Sequence, residues 1–229
     1  MADPKTPRPS QPPDPEDPPR AAGSPRARAP KVGPAATASL GRNPTSLTGQ
    51  LLIAMPQMQD PRFARTVIYL CAHGTEGAMG LVVNKYLDDP PVTLSKLMGQ
   101  LGIVSEGLKA DPRVHRGGPV EEGRGFVLHS ADYTEEATMV IGNNVALTAT
   151  LDILRAIGRG EGPKKSLLAL GYAGWGPGQL DAEMHANGWL HVDADEALVF
   201  DPNSKDKWQQ AIAKIGIDFT ALSGDAGHA

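Results

Sequence analysis

Cysteine is nearly absent from this sequence, which has one such residue, Cys71, among 229. A single thiol cannot form an intramolecular disulfide, and it cannot supply the clustered cysteines of a zinc finger. Disulfides persist in oxidising compartments, so a lone thiol favours the cytoplasm. We therefore predict a cytoplasmic protein, and the sequence indicates neither a metal site nor a cofactor.

Long apolar runs are also missing. The longest extends from Val67 to Ala72, whereas a membrane-spanning helix needs roughly 20 apolar residues. The first 44 residues contain no apolar segment of the kind that a secretory signal requires. The sequence therefore predicts no association with a membrane.

Aromatic residues do not occur in residues 1–44, and that stretch holds 12 of the 21 prolines. It cannot bury enough apolar surface to offset the entropy lost on ordering. We predict a disordered, Pro-rich tail over residues 1–45 and a single folded domain over residues 46–229. Residues 1–44 carry seven Lys and Arg and four Asp and Glu, which leaves 15 basic and 22 acidic residues in the remainder. This acidic balance argues against nucleic-acid binding by the folded part.

The clearest local signal is a hairpin. β-Forming residues from Thr66 to His73 and from Ala78 to Asn84 flank the turn residues Gly74–Gly77, which predicts two antiparallel strands in the centre of a sheet. With a tight loop, Cys71 pairs with Gly80. Further strands are predicted over 51–55, 124–130, 137–142, 165–175, 189–195 and 197–200, and helices over 93–102, 146–160, 178–188 and 204–216. The elements do not alternate regularly, which favours an α+β fold.

Cys71 and His73 form the first candidate site. They lie two positions apart on a predicted strand, so their side chains would share a face, and an imidazole can activate a thiol. The alternative is a packing role for Cys71 beside a histidine at the strand end. Burial in an apolar run raises the pKa of a thiol, and their Cα atoms would lie about 6.5–7 Å apart, which favours packing.

Glycine-rich turns form the second set of candidates. The Gly171–Gly178 turn, with Gly174 and Gly176, precedes a predicted helix that includes Gln179, so its N–H groups could bind an anion. The spacing matches neither a P-loop nor a dinucleotide fingerprint. The alternative is a tight turn packed around Trp175.

A second glycine pair, Gly117 and Gly118, lies in a polar segment that could form a ligand-binding or active-site loop, or a turn and bulge with solvated charges. Asp181 and His185 share a helix face, but two ligands from one turn are a weak metal signal. The sequence therefore leaves the ligand-binding residues open.

Three long segments carry a family resemblance: GQLLIAMPQMQDPRFARTVIYLCAHGTEGAMGLVVNK, RGGPVEEGRGFVLHS and ALGYAGWGPGQLDAEMHANGWL. In this order and spacing, the chain from about Leu47 onward closely resembles the YqgE/AlgH family of bacterial proteins. The resemblance implies a single compact α+β domain with a mixed, mostly antiparallel sheet bent into a partial barrel with packed helices. The resemblance implies no catalytic residues, because no catalytic set is established for the family. One branch is named after the regulation of alginate synthesis, which suggests a role in transcriptional regulation.

Three functions are compatible with these observations. The leading one is a non-enzymatic regulatory or ligand-binding domain. The first alternative is a transcriptional regulator that contacts DNA, which would need a basic surface patch. The second is an enzyme that uses the Cys71/His73 strand or the Gly171–Gly178 turn, which would need both segments to converge on one cleft. The ligand, the protein partner and the oligomeric state stay open.

Overall fold

A computed structural model describes residues 46–142 and 144–216. The predicted tail, residues 1–45, lies outside the described residues. The strands are β1 (Gln50–Ala54), β2 (Val67–Gly74), β3 (Gly77–Val82), β4 (His115–Arg116), β5 (Val120–Ser130), β6 (Met139–Ile141), β7 (Val145–Thr148), β8 (Ser166–Trp175) and β9 (Trp189–Asp193). The helices are α1 (Leu94–Gln100), α2 (Leu151–Gly158), α3 (Gln179–His185), α4 (Glu196–Phe200) and α5 (Lys207–Lys214).

All nine strands belong to one sheet in the order β6-β7-β5-β8-β3-β2-β1-β9, with β4 pairing in parallel with β8. Every other pairing is antiparallel. The sheet curls into a half-barrel, so that the hydroxyl of Tyr69 in β2 donates to the carbonyl of Ile141 in β6 at 3.1 Å, although four strands separate the two along the sheet. The predicted α+β fold with a mixed, mostly antiparallel partial barrel is confirmed.

The core has two sides because strand side chains alternate between the faces of a sheet. Leu167 and Ala169 of β8 point to the inner face, which α4 and α5 cover through residues such as Val199 and Trp208. Leu168 points to the outer face, where it packs with α1 and α2. Another part of the outer face packs against α3. The sheet is therefore buried on both faces.

The predicted hairpin between β2 and β3 is confirmed, with His73 opposite Ala78. A β-bulge shifts the register, so Leu70 pairs with Gly80 and Ala72 with Met79, and Cys71 is the extra residue. The predicted pairing of Cys71 with Gly80 is therefore wrong. A one-residue insertion of this kind has no signature in the alternation of apolar residues.

Two further elements differ from the prediction. Residues 197–200, expected as a strand, lie in α4, because Asp195 Oδ1 accepts from the Ala197 N–H at 2.9 Å and caps the helix. A short apolar run does not distinguish a strand from a buried helix. The helix predicted over 146–160 is divided, and its first residues form β7. Within the described residues, no helix combines the length and the apolar character needed to cross a membrane.

Candidate functional site

The bulge in β2 separates the two residues of the first candidate site. Cys71 packs with Tyr69 in the inner cluster. The ring of His73 accepts the N–H of Leu47 at Nδ1, at 3.1 Å, and its Nε2 lies 3.5 Å from Asp181 Oδ1 of α3. Leu47 and α3 pack on the outer face. The expectation that Cys71 and His73 share a face is wrong, because the extra residue reverses the alternation between them.

The thiol of Cys71 lies in a mostly apolar environment. Its side chain is buried, and the sulfur makes weak contacts with backbone groups, to the carbonyl of Tyr69 at 3.6 Å and to the backbone of Leu81. Burial raises the pKa of the Cys71 thiol to about 12. At neutral pH the residue is therefore a protonated packing group, since a thiolate is required for nucleophilic attack.

We expect a thiol-reactive reagent to label native Cys71 very slowly. Because the sulfur is reached only when the fold opens, the native rate should be more than about a hundredfold below that of the unfolded chain, given the usual stability of a domain. The measurement is absorbance of released thionitrobenzoate at pH 8 with and without denaturant. Rapid stoichiometric labelling of the native protein would show that the thiol is accessible. It would favour the alternative function, an enzyme that uses Cys71.

The glycine turn before α3 binds to its own helix. The N–H of Gly176 donates to Gln179 Oε1 at 3.0 Å, and Gln179 Nε2 donates to Glu183 Oε1 at 2.9 Å. Gly178 has a φ of 68° as the residue that precedes the helix, a conformation that suits glycine. A Cβ atom on Gly174 would lie 3.2 Å from the ring of Tyr172. In this arrangement the N–H of Gly176 and the amide of Gln179 are already hydrogen-bonded within the protein.

Gly117 and Gly118 pack against β8 without space for a side chain. The N–H of Gly117 donates to the carbonyl of Leu170, and its own carbonyl accepts from Val82, so it links β8 to β3. A Cβ atom on Gly117 would lie 2.2 Å from the carbonyl oxygen of Gly171. These glycines allow a close approach of two backbones, and Gly171 of β8 lies directly against them.

The third weak candidate pair has a local role. His185 Nδ1 is 2.7 Å from the carbonyl oxygen of Asp181, which is the helix's own backbone. Across the described ranges, 46–142 and 144–216, no three His, Cys, Asp or Glu residues are placed to hold a metal ion. The His185 ring thus contacts the backbone of its own helix, and the Asp181 carboxylate lies near His73 instead.

A cleft of about 780 Å³ lies elsewhere, between the 107–112 loop, the end of α2 and α4. The cleft is open to solvent, so it would leave part of a small molecule exposed. Its apolar lining includes Leu94, Leu108, Ile157 and Phe200. Its charged lining is Lys109, Lys164, Lys165, Glu196 and Asp201.

The lysines of this cleft are only partly neutralised. Lys165 Nζ lies 3.2 Å from Glu196 Oε1, and Lys164 Nζ lies 4.0 Å from Asp132 Oδ2. Lys109 is exposed and has no ion pair within the part of the chain that the structure describes. The cleft therefore carries more lysines than carboxylates in a region of the sequence where acidic residues predominate.

The cleft continues past these lysines. A neighbouring depression of about 540 Å³ shares Lys164, Lys165 and Glu196 with it and extends to Ser130 and Asp132. The two depressions adjoin at Lys164, Lys165 and Glu196, and their combined lining holds three lysines and three carboxylates. An elongated ligand could contact both halves at once.

Behind one wall of the cleft lies a buried polar group of residues. Pro202 lines the cleft, and its carbonyl accepts from the hydroxyl of Tyr86 at 2.8 Å. The ring of Tyr86 packs on that of His115, with centroids 4.5 Å apart. His115 is 6% exposed; no hydrogen bond of ordinary length reaches either ring nitrogen, and the backbone of Leu168 interacts with the ring.

Lys207 of α5 is the second basic residue of this region and is fully buried. Its Nζ donates to the carbonyls of Val83 and Val199 at 2.9 and 2.8 Å. Burial lowers the pKa of Lys207 to about 8. Burial, together with the charge of Lys207, lowers the pKa of His115 to about 3, so His115 is neutral at neutral pH.

Sequence reasoning missed both the cleft and this buried pair. Lys207 stands at the start of an amphipathic helix, where a lysine normally indicates a solvated face. His115 was part of the polar glycine segment, with no sign that its ring is buried. Only an apolar neighbour, Trp208, gave a local hint that this part of α5 faces the core.

Comparison with known proteins identifies the family to which this fold belongs. A family model described as AlgH-like matches residues 51–220, which include the cleft and the buried pair. The chain belongs to the AlgH-like family. This confirms the resemblance that the three sequence segments indicated.

Relatives of the AlgH-like chain match it over most of its length. A UPF0301 protein of Rhodospirillum rubrum is 55% identical over 183 residues, covering 80% of this chain and 94% of its own. Another, from Afipia carboxidovorans, is 54% identical over 193 residues, covering 81% and 91%. The solution structure of AlgH from Pseudomonas aeruginosa is 42% identical, with a TM-score of 0.63 over 81% of this chain and 97% of that one.

A crystal structure of a Corynebacterium diphtheriae protein shares the fold at 21% identity, with a TM-score of 0.62, covering 78% of this chain and 92% of that one. At this identity the likeness concerns the AlgH-like architecture alone. The half-barrel with its helices is thus common to relatives whose sequences differ widely.

Proposed function

We propose that this AlgH-like protein is a non-enzymatic ligand-binding domain of the cytoplasm, and that its lysine-lined cleft holds a small anionic ligand with an apolar body. The observation that carries the proposal is the combination of Lys109, Lys164 and Lys165 with apolar lining residues in a cleft of about 780 Å³ that also holds Glu196 and Asp201. Lysines attract phosphate and carboxylate groups, and an apolar lining favours the remainder of an organic ligand. The compartment is proposed because a lone unpaired thiol suits a reducing environment.

A binding role agrees with the state of the candidate catalytic groups. The thiol of Cys71 is protonated and packed, and His73 is held by Leu47 and Asp181. Neither group faces the cleft lining. Catalysis requires a nucleophile or base within reach of a bound substrate, and these two groups do not meet that condition.

A transcriptional role by direct DNA contact is supported by the family name alone. Residues 45–229 contain 15 basic and 22 acidic residues, so their net charge repels phosphates. An effect on transcription through a bound ligand or a protein partner would be compatible with the cleft. Fluorescence anisotropy with duplex DNA at physiological salt separates the two, because direct regulation requires tight, sequence-specific binding.

The cleft is tested with the double variant Lys164→Ala/Lys165→Ala. Thermal melting of the full chain is measured with a panel of nucleoside phosphates and aromatic carboxylates. A ligand at about 100 times its Kd should stabilise the wild type by about 2.7 kcal/mol, which raises the Tm by several degrees. The double variant should bind that ligand at least about tenfold more weakly, because each charged hydrogen bond contributes about 1.5–3 kcal/mol.

The matched control is Lys96→Ala, which removes an exposed lysine that does not line the cleft. It should leave the ligand-induced rise in Tm unchanged. An equal loss of ligand binding in Lys96→Ala would mean that binding depends on the net charge of the protein and not on the cleft. A panel that raises the Tm of neither wild type nor control would contradict the proposal for these ligand classes.

A further inference from the structure

Three basic residues meet at one end of the sheet. Arg65 stands just before β2, Lys85 just after β3, and Arg116 in β4. The side-chain amide of Asn84 donates to the carbonyl of Arg65 at 2.9 Å, and Lys85 is the next residue. The N–H of Arg116 donates to the carbonyl of Lys85, also at 2.9 Å. Residues 84–85 therefore connect the backbones of all three.

Lys85 and Arg116 are neighbours across two antiparallel segments. Tyr86 pairs with His115 in an antiparallel bridge, so Lys85 lies opposite Arg116 one position further along. Side chains at opposite positions project to the same face and lie close together, and two like charges placed in this way destabilise a sheet. Arg116 is exposed and Lys85 is half-buried. The pair therefore costs the fold stability.

No carboxylate offsets this repulsion. Within residues 46–142 and 144–216, neither arginine nor Lys85 forms an ion pair. The guanidinium of Arg65 lies over the ring of Trp208, 5.6 Å from its centroid. Burial lowers the pKa of Lys85, and the charge of Arg65 lowers this pKa further. The neighbouring charge that acts on Lys85 is thus another cation.

The backbone of Arg65 carries a second cost. Its φ is 53°, in the left-handed region that favours glycine. Strain of this kind persists only where the surrounding structure imposes it, and it is concentrated at functional sites. The strain at Arg65 and the opposed charges of Lys85 and Arg116 both keep cations at this one place. A binding role accounts for both costs.

We propose that Arg65, Lys85 and Arg116 form a basic patch that docks a short acidic segment of a protein partner. Carboxylates of such a segment would form charge-assisted hydrogen bonds with the two guanidinium groups and the ammonium group, and would relieve their mutual repulsion. None of the three residues lines the lysine-lined cleft. The docking surface is therefore independent of the proposed function.

The distribution of charge favours a short protein segment over other anions. Residues 45–229 contain 15 basic and 22 acidic residues, so a long polyanion such as nucleic acid would meet repulsion beyond the patch. A short acidic segment needs to contact only the three cations. The chain's own tail is not complementary, because residues 1–44 carry seven basic and four acidic residues.

The test measures fluorescence anisotropy of a labelled peptide of about eight glutamates with the full chain at low salt. Lys85→Gln/Arg116→Gln should raise the Kd about tenfold, since each exposed charge pair contributes about two- to fivefold. Added salt should weaken binding to the wild type. Lys96→Gln is the matched control, because it removes one exposed charge from α1, and it should change the Kd less than about twofold. Equal weakening by this control would overturn the proposal.

Stability provides a readout that separates docking from a structural role. Without peptide, Lys85→Gln should raise the Tm by about 1–2 °C, because it removes the repulsion by Arg65 and Arg116. The same variant should bind the peptide more weakly. A lower Tm in Lys85→Gln would show that this lysine stabilises the fold, and the proposal would fail.

Two further measurements locate the peptide and define the partner. Lys164→Ala/Lys165→Ala should bind the peptide like the wild type, and a loss there would place the peptide at the cleft and refute docking at the basic patch. Single-stranded DNA of about eight nucleotides and phosphatidylglycerol vesicles should both bind more weakly than the peptide. Tighter binding of either one, abolished in Lys85→Gln/Arg116→Gln, would overturn the choice of a protein partner.

Discussion

We expect Gly118→Ala to destabilise the protein more than an alanine substitution at any other glycine of the two glycine-rich segments, 117–118 and 171–178. A Cβ atom at this position would lie 2.1 Å from the carbonyl carbon of Tyr172 and 2.3 Å from its oxygen, and the φ of 154° disfavours a side chain. The strand β8 cannot move away because it pairs on both sides, with β5 and β3. We expect a loss of about 3 kcal/mol or more in the free energy of unfolding.

The measurement is urea unfolding followed by circular dichroism, or the soluble yield if the variant does not fold. Gly99→Ala is the control, because Gly99 lies inside α1 and a Cβ there meets nothing within 4 Å. Alanine is favoured over glycine in a helix by about 0.5–1 kcal/mol, so this control should be slightly stabilised. Equal stability of Gly118→Ala and wild type would mean that the backbone contact at β8 is looser than the structure shows.

The second large effect is expected at Glu183 of α3. Its Oε2 accepts from the indole N–H groups of Trp175 and Trp189, at 2.9 and 2.8 Å, and both rings are 3% exposed. Replacement by alanine leaves two buried donors without a partner. Because each such loss costs about 1–3 kcal/mol, Glu183→Ala should lower the unfolding free energy by about 3 kcal/mol.

Glu183→Gln refines this test, since its amide oxygen can take the place of Oε2 and accept from both indole N–H groups, and it should lose clearly less than the alanine variant. Glu106→Ala is the control because Glu106 is exposed and lies outside these contacts. Near-UV circular dichroism reports the tryptophan environment directly. If Glu183→Ala and Glu106→Ala proved equally stable, the carboxylate would not be what holds α3 to β8 and β9.

Both effects arise where the sequence left two interpretations open. For the Gly171–Gly178 turn, the alternatives were an anion site and a turn packed around Trp175, and Glu183 binds the indole of Trp175 from the following helix. For Gly117 and Gly118, the alternatives were a ligand loop and a tight backbone feature, and the atoms that approach both glycines belong to β8. Spacing along the chain cannot distinguish a backbone N–H that meets a ligand from one that meets its own protein.

Features that depend on neighbours along the chain could be predicted from the sequence alone. The alternation of apolar residues around Gly74–Gly77 was sufficient for the β2–β3 hairpin, and the lack of regular alternation of elements was sufficient for the α+β class. The family followed from long motifs in fixed order. Apolar periodicity also located α5, because one helix face must be buried.

Which side chains meet could not be predicted from the sequence, because it depends on tertiary packing. A single bulge placed Cys71 and His73 on different faces of the sheet, and curling of the strands joined Tyr69 to Ile141. Packing of α5 against the inner face buried Lys207 beside His115, although nothing near either residue in the sequence indicates the other. The physical reason is that periodicity reports burial of a face, whereas a site depends on which distant segments that face is packed against.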